Sequence, residues 1–441
     1  MEVQNVKGTK DLFEKEAEMF EYVESLMKAI AGTYGFKDMR PPVLEHSEVF
    51  TRAVGESSDV VRKEMYTFLD KGNRSLTLRP EFTAGIMRLI VQNKLYATMD
   101  LPIKAYYHGP VFRYERPQLG RYRQFNQFGV ETVGVNSYFY DVEVILLGYI
   151  ILLNLGFSGV TLKINTLGDD ESRTNYKNAL KEYFANKVEN MCEDCKQRYE
   201  LNPLRILDCK VPSDQEIVKD APKMSDYLSE ASKERFNSIL KELDASGVSY
   251  EVDDTLVRGL DYYSETVFEF HFVSNKGINY GAIGAGGHYD KLVKEMGGPS
   301  LEGIGFSFGL ERVVSIMQDN ELFNDTNIDK GLDAYIIPMD SLYNSNALDV
   351  ALMLRSNGYS VEVNYEGGKV ASLIKKANRK NARLAIFLGE EEIRSESLSI
   401  KDLKNNTQEN IALDDLLSYV DDLFNECECG CGNECQCKKE D

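Results

Sequence analysis

Long apolar runs are missing from this chain. The longest, residues 144–157, already contains Asn154 and falls short of the ~20 residues that a membrane-spanning helix needs, so no membrane partner is expected. The opening residues MEVQNVKGTKDLF hold no apolar core and no small-residue cleavage site, which argues against secretion and for the cytoplasm. Proline is sparse, at 11 of 441 residues, and 43% of the chain is hydrophobic, so wholesale disorder is excluded. Positive charge is in deficit: 51 Lys and Arg stand against 71 Asp and Glu, leaving a net charge of −20. A protein this acidic has no general attraction for nucleic acid, and an RNA partner has to be met by a locally basic surface.

What is present is enough for several folded units. At roughly 150 residues per domain the length predicts about three. Residues 14–34 carry Phe20, Val23, Leu26, Met27 and Ile30 at helical spacing, with Gly35 as a C-terminal cap. FKDMRPPVLE is extended, because Pro41 and Pro42 disfavour helix before them. Residues 75–80, 103–116 and 123–135 alternate like antiparallel strands, residues 140–155 form an apolar helix, and residues 159–168 a strand. Residues 169–250 then turn charged and helical, an insertion, before strand signals return in TLVRGLDYYSETVFEFHFV. A polar linker is expected over 318–333. Beyond it, strand, helix, strand, basic helix and strand alternate as in a small α/β domain.

Four stretches could carry chemistry. GPVFRYERPQLGRYRQFNQFGVE (109–131) gathers Arg113, Arg116, Arg121 and Arg123 against Glu115 and Glu131, with Arg113 and Glu115 on one strand face. Arginine grips phosphate bidentately, although a salt-bridged hairpin would look the same. LVRGLDYYSETVFEF puts Arg258 beside Gly259 and the pair Tyr262 and Tyr263, a set that suits a small polar ligand or, equally, a core. GAIGAGGHYDKLVKEMGG offers close backbone approach through Gly281, Gly284, Gly286 and Gly287 but matches neither GxGxxG nor a P-loop. GIGFSFGLERVVSIM is a small-residue strand running into a helix that begins near Arg312.

Together these stretches resemble the histidyl-tRNA synthetases, a family of class II aminoacyl-tRNA synthetases, over about residues 1–425. RPPVLE is similar to class motif one, FRYERP with RYRQF to motif two and GFSFGLER to motif three. LVRGLDYYSETVFEF and AGGHYDKLV resemble the histidine-specific signatures. The fold the resemblance implies is α+β: a class II catalytic domain over 1–325, an antiparallel sheet flanked by helices and interrupted by the 169–250 helical insertion. A C-terminal α/β anticodon-binding domain over 331–425 and a Cys-rich tail over 426–441 complete it. The implied activity is that of a ligase. ATP, with magnesium, activates L-histidine to histidyl-adenylate, which is passed to the 3′ end of the tRNA for histidine; the family is homodimeric through motif one. The alternative is a non-charging, synthetase-like regulatory subunit of histidine biosynthesis.

By that resemblance Arg258 and Arg113 are catalytic and hold the α-phosphate, while Glu115, Phe125 and Arg312 complete the ATP site. Histidine falls to Glu81, Phe82, Thr83, Gln127, Glu131, Tyr262, Tyr263 and Tyr289, since imidazole offers one donor and one acceptor to a carboxyl and a phenol. Gln118, Arg121 and Arg123 meet tRNA, as does the basic stretch 369–383. Two positions depart from the family: His288 stands where Arg is usual, and Phe82 where Gly is commoner. Lys223, Met224 and Ser225 resemble the class I KMSKS loop but lack its HIGH partner. His46, His108 and His271 have no metal-ligand spacing. Cys192, Cys195 and Cys209 would make a three-ligand zinc set without a fourth member. In the tail, Cys427, Cys429, Cys431, Cys435 and Cys437 either bind a soft metal ion or belong to a disordered acidic segment.

Overall fold

The computed structural model describes residues 3–55, 58–115, 121–135, 137–324, 326, 328 and 331–424. Arg116, Gln118 and the five tail cysteines lie outside the described residues. The chain divides into two compact units between residues 326 and 327.

In the first unit the strands are β1 (Lys37–Asp38), β2 (Leu44–His46), β3 (Tyr66–Leu69), β4 (Ser75–Leu78), β5 (Ile103–Phe112), β6 (Gln124–Val135), β7 (Val160–Thr166), β8 (Tyr250–Val252), β9 (Ser264–Val273), β10 (Asn279–Tyr289) and β11 (Glu302–Gly309). Eight of them form one sheet in the order β1-β5-β6-β11-β10-β9-β7-β8, and β2, β4 and β3 form a small second sheet. The central pairings, β5 to β6, β6 to β11, β11 to β10 and β10 to β9, are all antiparallel. Aromatic and β-branched residues alternate along these strands. In β5 this turns Ile103, Ala105 and Tyr107 inward.

Helix Phe139–Asn154 is apolar on nearly every face because it is packed against the sheet: a Cβ on Gly148 would lie 2.5 Å from the Phe270 ring. Helix Glu14–Thr33 buries Val23, Met27 and Ala31 and ends before Gly35, whose φ of +81° suits glycine. The insertion contains the helices Asp170–Phe184, Glu193–Leu201, Pro212–Val218 and Glu230–Ala245. Its apolar cluster joins Tyr176, Leu180, Phe184 and Ile206 to Leu256 and Val267.

The structure differs from the sequence reading at two places here. β5 stops at Phe112, so Arg113 and Glu115 sit on irregular chain and not on a strand face. Helix Leu310–Asp319 runs past residue 318, because Val313, Val314, Ile316 and Met317 are all buried, which moves the start of the polar linker. Lys223 to Ser225 lead into a short 3₁₀ turn, Met224–Tyr227, with Lys223 paired to Asp254 at 2.8 Å.

The second unit carries β12 (Ala334–Pro338), β13 (Val361–Val363), β14 (Leu384–Leu388), β15 (Ser397–Asp402) and β16 (Thr407–Ala412) in the order β13-β12-β14-β15-β16. β12 pairs in parallel with β13 and β14, while β15 and β16 run antiparallel. The β15–β16 hairpin and the helix Leu416–Phe424 are absent from the sequence reading. β16 is exposed along almost its whole length, so it lacks the apolar alternation that marks a strand.

Candidate active site

Two β-hairpin faces and one helix start surround a cavity of about 340 Å³. Its walls include Glu81, Thr83, Arg113, Arg121, Phe125, Gln127, Glu131, Arg258, Tyr262, Tyr263 and Tyr289. Residues as far apart in the chain as Glu81 and Tyr289 therefore meet, as the strand order brings β6, β11, β10 and β9 side by side.

One end is a nest of buried carboxyls and hydroxyls. Glu81 precedes helix Thr83–Gln92 and accepts the amide N–H groups of Thr83 at 2.6 Å and Ala84 at 2.9 Å, donors that a helix N-terminus leaves free. Glu131, from the middle of β6, accepts hydroxyl hydrogen bonds from Thr83 at 2.7 Å, Tyr289 at 2.8 Å and Tyr107 at 3.2 Å. Burial carries the Glu131 carboxyl up to about 8, against the pull of those three donors. Burial also raises Glu81 above the usual carboxylate range. Tyr262 packs at right angles to Tyr289, their rings 5.9 Å apart, and beside Tyr263 at 4.5 Å.

The other end is cationic. Arg113 donates from Nε to the Pro80 carbonyl at 2.9 Å, and its guanidinium stands 5.5 Å from the Phe125 ring. Arg258 is paired with Glu269 while its own Nε, buried, has no partner among the described residues. Glu269 also accepts from His271 at 2.8 Å. Burial pushes the Glu269 carboxyl up, but His271 and Arg258 together hold it below its ordinary value, ionised at neutral pH.

The glycine-rich strands make room for this set of side chains. A Cβ on Gly305 would lie 2.1 Å from Glu131 Oε2, and one on Gly129 would lie 2.4 Å from the Tyr107 hydroxyl. Of the four glycines expected to let backbone approach a ligand, Gly284 alone lines the cavity. Gly286 and Gly287 are instead covered by Phe268 and Tyr263, which a Cβ on either would meet at 2.7 Å.

The remaining candidates lie around the cavity. The Phe82 side chain is buried behind it, stacked on Tyr107 at 4.5 Å under the Arg79 guanidinium at 3.8 Å. Glu115 pairs with Arg121 at 3.2 Å. Arg123 lies 4.0 Å over the Tyr114 ring, its amide bonded to the Gly8 carbonyl at 2.7 Å. Arg312, in the first turn of its helix, donates to the Tyr280 carbonyl, and its buried Nε is without a partner among the described residues. His288 faces away from Tyr289 and is fully buried, its Nδ1 3.0 Å from Asp141 and its Nε2 3.2 Å from Glu302. Burial alone would lower this imidazole. Asp141 and Glu302 outweigh it and carry the pKa up to about 9, so His288 is held as a cation at neutral pH. Sequence reasoning missed Tyr107 and Glu269. Glu269 could have been found from its place in β9, where it alternates with the inward residues Phe268 and Phe270.

A family model described as histidyl-tRNA synthetase matches residues 8–313, and one described as an anticodon binding domain matches residues 333–423. The histidine–tRNA ligase of Bacillus licheniformis is 43% identical over 94% of this chain and 97% of its own. That of Thermoanaerobacter pseudethanolicus is 43% identical over 95% of this chain and 99% of its own. The crystal structure of apo histidyl-tRNA synthetase from S. aureus superposes with a TM-score of 0.81 at 32% identity, covering 95% of this chain and all of that one.

Proposed function

This chain belongs to the histidyl-tRNA synthetase family, and from that premise we infer that it is a histidine–tRNA ligase. Histidine and ATP give histidyl-adenylate and pyrophosphate, and a terminal ribose hydroxyl of tRNA then takes the histidyl group and releases AMP. The observation that carries this reading is one cavity with buried carboxyls and hydroxyls at one end and Arg113 and Arg258 at the other. The first end suits an amino acid with an ammonium and an imidazole to satisfy. The second suits a phosphate.

In the first step the histidine carboxylate oxygen attacks the α-phosphorus, and the bond to the pyrophosphate oxygen breaks. Negative charge builds on the phosphoryl oxygens, so fixed cations lower the barrier more than a proton shuttle would. Arg113 and Arg258 supply them, with Phe125 as the stacking face for adenine, Glu115 as its hydrogen-bond partner and Arg312 for the ATP tail. Glu81 and Thr83 take the amino end of histidine. Gln127, Glu131, Tyr262, Tyr263 and Tyr289 enclose the ring, and an apolar isostere there would leave buried partners unpaired at about 1–3 kcal/mol each. Phe82 acts through packing and backbone. Gln118, Arg121 and Arg123 meet the tRNA.

Magnesium accompanies ATP in this reading. Glu269, an ionised carboxylate on the cavity wall whose oxygens meet Arg258 and His271, would have to exchange one of those contacts to hold the ion, which would neutralise phosphate charge. The domain assignment is a catalytic domain over 1–325 with the 169–250 insertion, then an anticodon-binding domain over 331–425. The chain works as a cytoplasmic homodimer joined through the motif-one segment RPPVLE; equilibrium sedimentation giving the mass of one chain would refute the dimer. Among the described residues no helix is long and apolar enough to cross a membrane. The regulatory-subunit alternative is disfavoured by the ligase relatives' coverage of nearly the whole chain.

The test is ATP–pyrophosphate exchange with each amino acid in turn. Exchange is expected with histidine alone, and Arg258→Ala should slow it by roughly two to three orders of magnitude, as removal of a transition-state charge partner does. Histidine binding without exchange would reinstate the regulatory reading.

A further inference from the structure

The helical insertion contains a cluster that the active site does not use. Cys192 ends the turn before helix Glu193–Leu201, Cys195 lies in that helix's first turn, Cys209 follows the 3₁₀ turn Pro203–Ile206, and Asp214 lies in the first turn of helix Pro212–Val218. Their three Sγ atoms and one carboxylate oxygen all lie within 4.8 Å of one another. The fourth ligand missing from the cysteine spacing is therefore an aspartate brought in by the fold.

We propose that Cys192, Cys195, Cys209 and Asp214 form a structural zinc site. Zinc held tetrahedrally at ~2.3 Å from sulfur and ~2.0 Å from oxygen sets ligand separations of ~3.8 Å between sulfurs and ~3.5 Å between sulfur and oxygen. The Cys192 and Cys209 Sγ atoms are 3.8 Å apart, and Cys209 Sγ is 3.3 Å from Asp214 Oδ2. Two of the six separations thus already match those of a bound ion, and the others lie within 4.8 Å.

A second observation points to a cation independently of those distances. Asp214 is fully buried, and among the described residues its side chain meets only uncharged donors, with no Lys, Arg or His paired to it. Its contacts are the Cys192 amide N–H at 3.1 Å, the Ser213 hydroxyl at 3.3 Å and the thiols of Cys192, Cys195 and Cys209, the last at 3.3 Å. A carboxylate removed from water without a counter-charge is costly, and a divalent ion supplies that charge. The Val211 amide donates to Cys209 Sγ at 3.5 Å, and Ser213 steadies the carboxylate oxygen turned away from the cage.

The ion would clamp two short helices and the chain between them. That chain reaches the active-site wall, where Arg205 donates to the Gly259 carbonyl at 2.8 Å and Asn202 to Asp261 at 2.9 Å. The zinc site therefore braces the segment that carries Arg258.

The experiment uses the full-length chain with Cys427, Cys429, Cys431, Cys435 and Cys437 all replaced by serine, so that the tail cannot contribute metal. After zinc loading, reduction and gel filtration, elemental analysis should find about one equivalent per chain, falling below about a tenth in Cys195→Ser or Cys209→Ser. If those variants fold poorly, cobalt(II) decides in the parent protein. Intense thiolate charge-transfer and tetrahedral d–d bands are expected, and Asp214→Asn should change the d–d bands while keeping the charge-transfer intensity of three sulfurs. Metal-free parent protein after loading, undiminished zinc in the Cys195→Ser, Cys209→Ser double variant, or a Cys192–Cys209 disulfide in the reduced, zinc-loaded protein would each overturn the proposal.

Discussion

Glu131 shows how much a single side chain depends on its neighbours. Three hydroxyls from β5, β10 and the start of helix Thr83–Gln92 converge on it, and its carboxyl is carried up to about 8 by burial. Glu131→Gln keeps the shape but cannot accept all three donors. It should raise the KM for histidine roughly tenfold to a hundredfold and that for ATP much less, from about 1–3 kcal/mol per unpaired group. Equal effects on both substrates in exchange kinetics would remove Glu131 from the histidine end. His288 gives a different signature. Its folded pKa of about 9 lies above the unfolded value near 6.5, so the stability it contributes is fully present below pH ~6.5 and is lost as pH rises through about 9, roughly 3 kcal/mol in all. Denaturation of wild type and His288→Gln should therefore differ most below pH ~6.5 and converge toward alkaline pH. A gap independent of pH would show that His288 is not held as a cation.

Among the elements, the basic helix Val370–Arg379 separates pattern from placement most clearly. Sequence offers Lys369, Lys375, Lys376, Arg379 and Lys380 as one RNA-facing set. In the structure Lys380 is paired with Glu362 at 2.7 Å and Lys376 is half-buried against Asn364 at 3.4 Å, whereas Lys375 and Arg379 are exposed. Lys375 and Arg379 are therefore the better candidates for phosphate contacts. Replacing both by alanine should weaken tRNA binding, leave histidine-dependent exchange intact and flatten the slope of log affinity against log salt by about one unit per contact. An unchanged slope would exclude them. Strand β10 makes a related point: its glycines were legible as an unusual feature, but their packing against Phe268 and Tyr263 could not be read from spacing.

At the scale of the molecule, a net charge of −20 is reconciled with an RNA substrate only through local basic surfaces, and the candidate surfaces lie on both units. Much of the fold was legible in advance, including the long first helix, β5 to β7, the helical character of the insertion and the alternation of the second unit up to β14. Those elements carry strong periodicity because each buries one face or lies wholly in a core. The β15–β16 hairpin was not legible, since an exposed edge strand has no apolar face to record it.

The candidate site divides in the same way. Sequence by itself determined the residue types and their order: Arg113, Glu131, Arg258 and Tyr289 lie in stretches whose composition is unusual whether or not they are folded. Tertiary structure alone decided that Tyr107 joins Glu131, that Glu269 answers Arg258, that His288 is a buried cation and that Asp214 stands beside three cysteines. The reason is that sequence patterns report neighbours along the chain or across one element, whereas hydrogen bonds, ion pairs and metal cages form between elements that only the packed sheet and its insertion bring within a few ångströms.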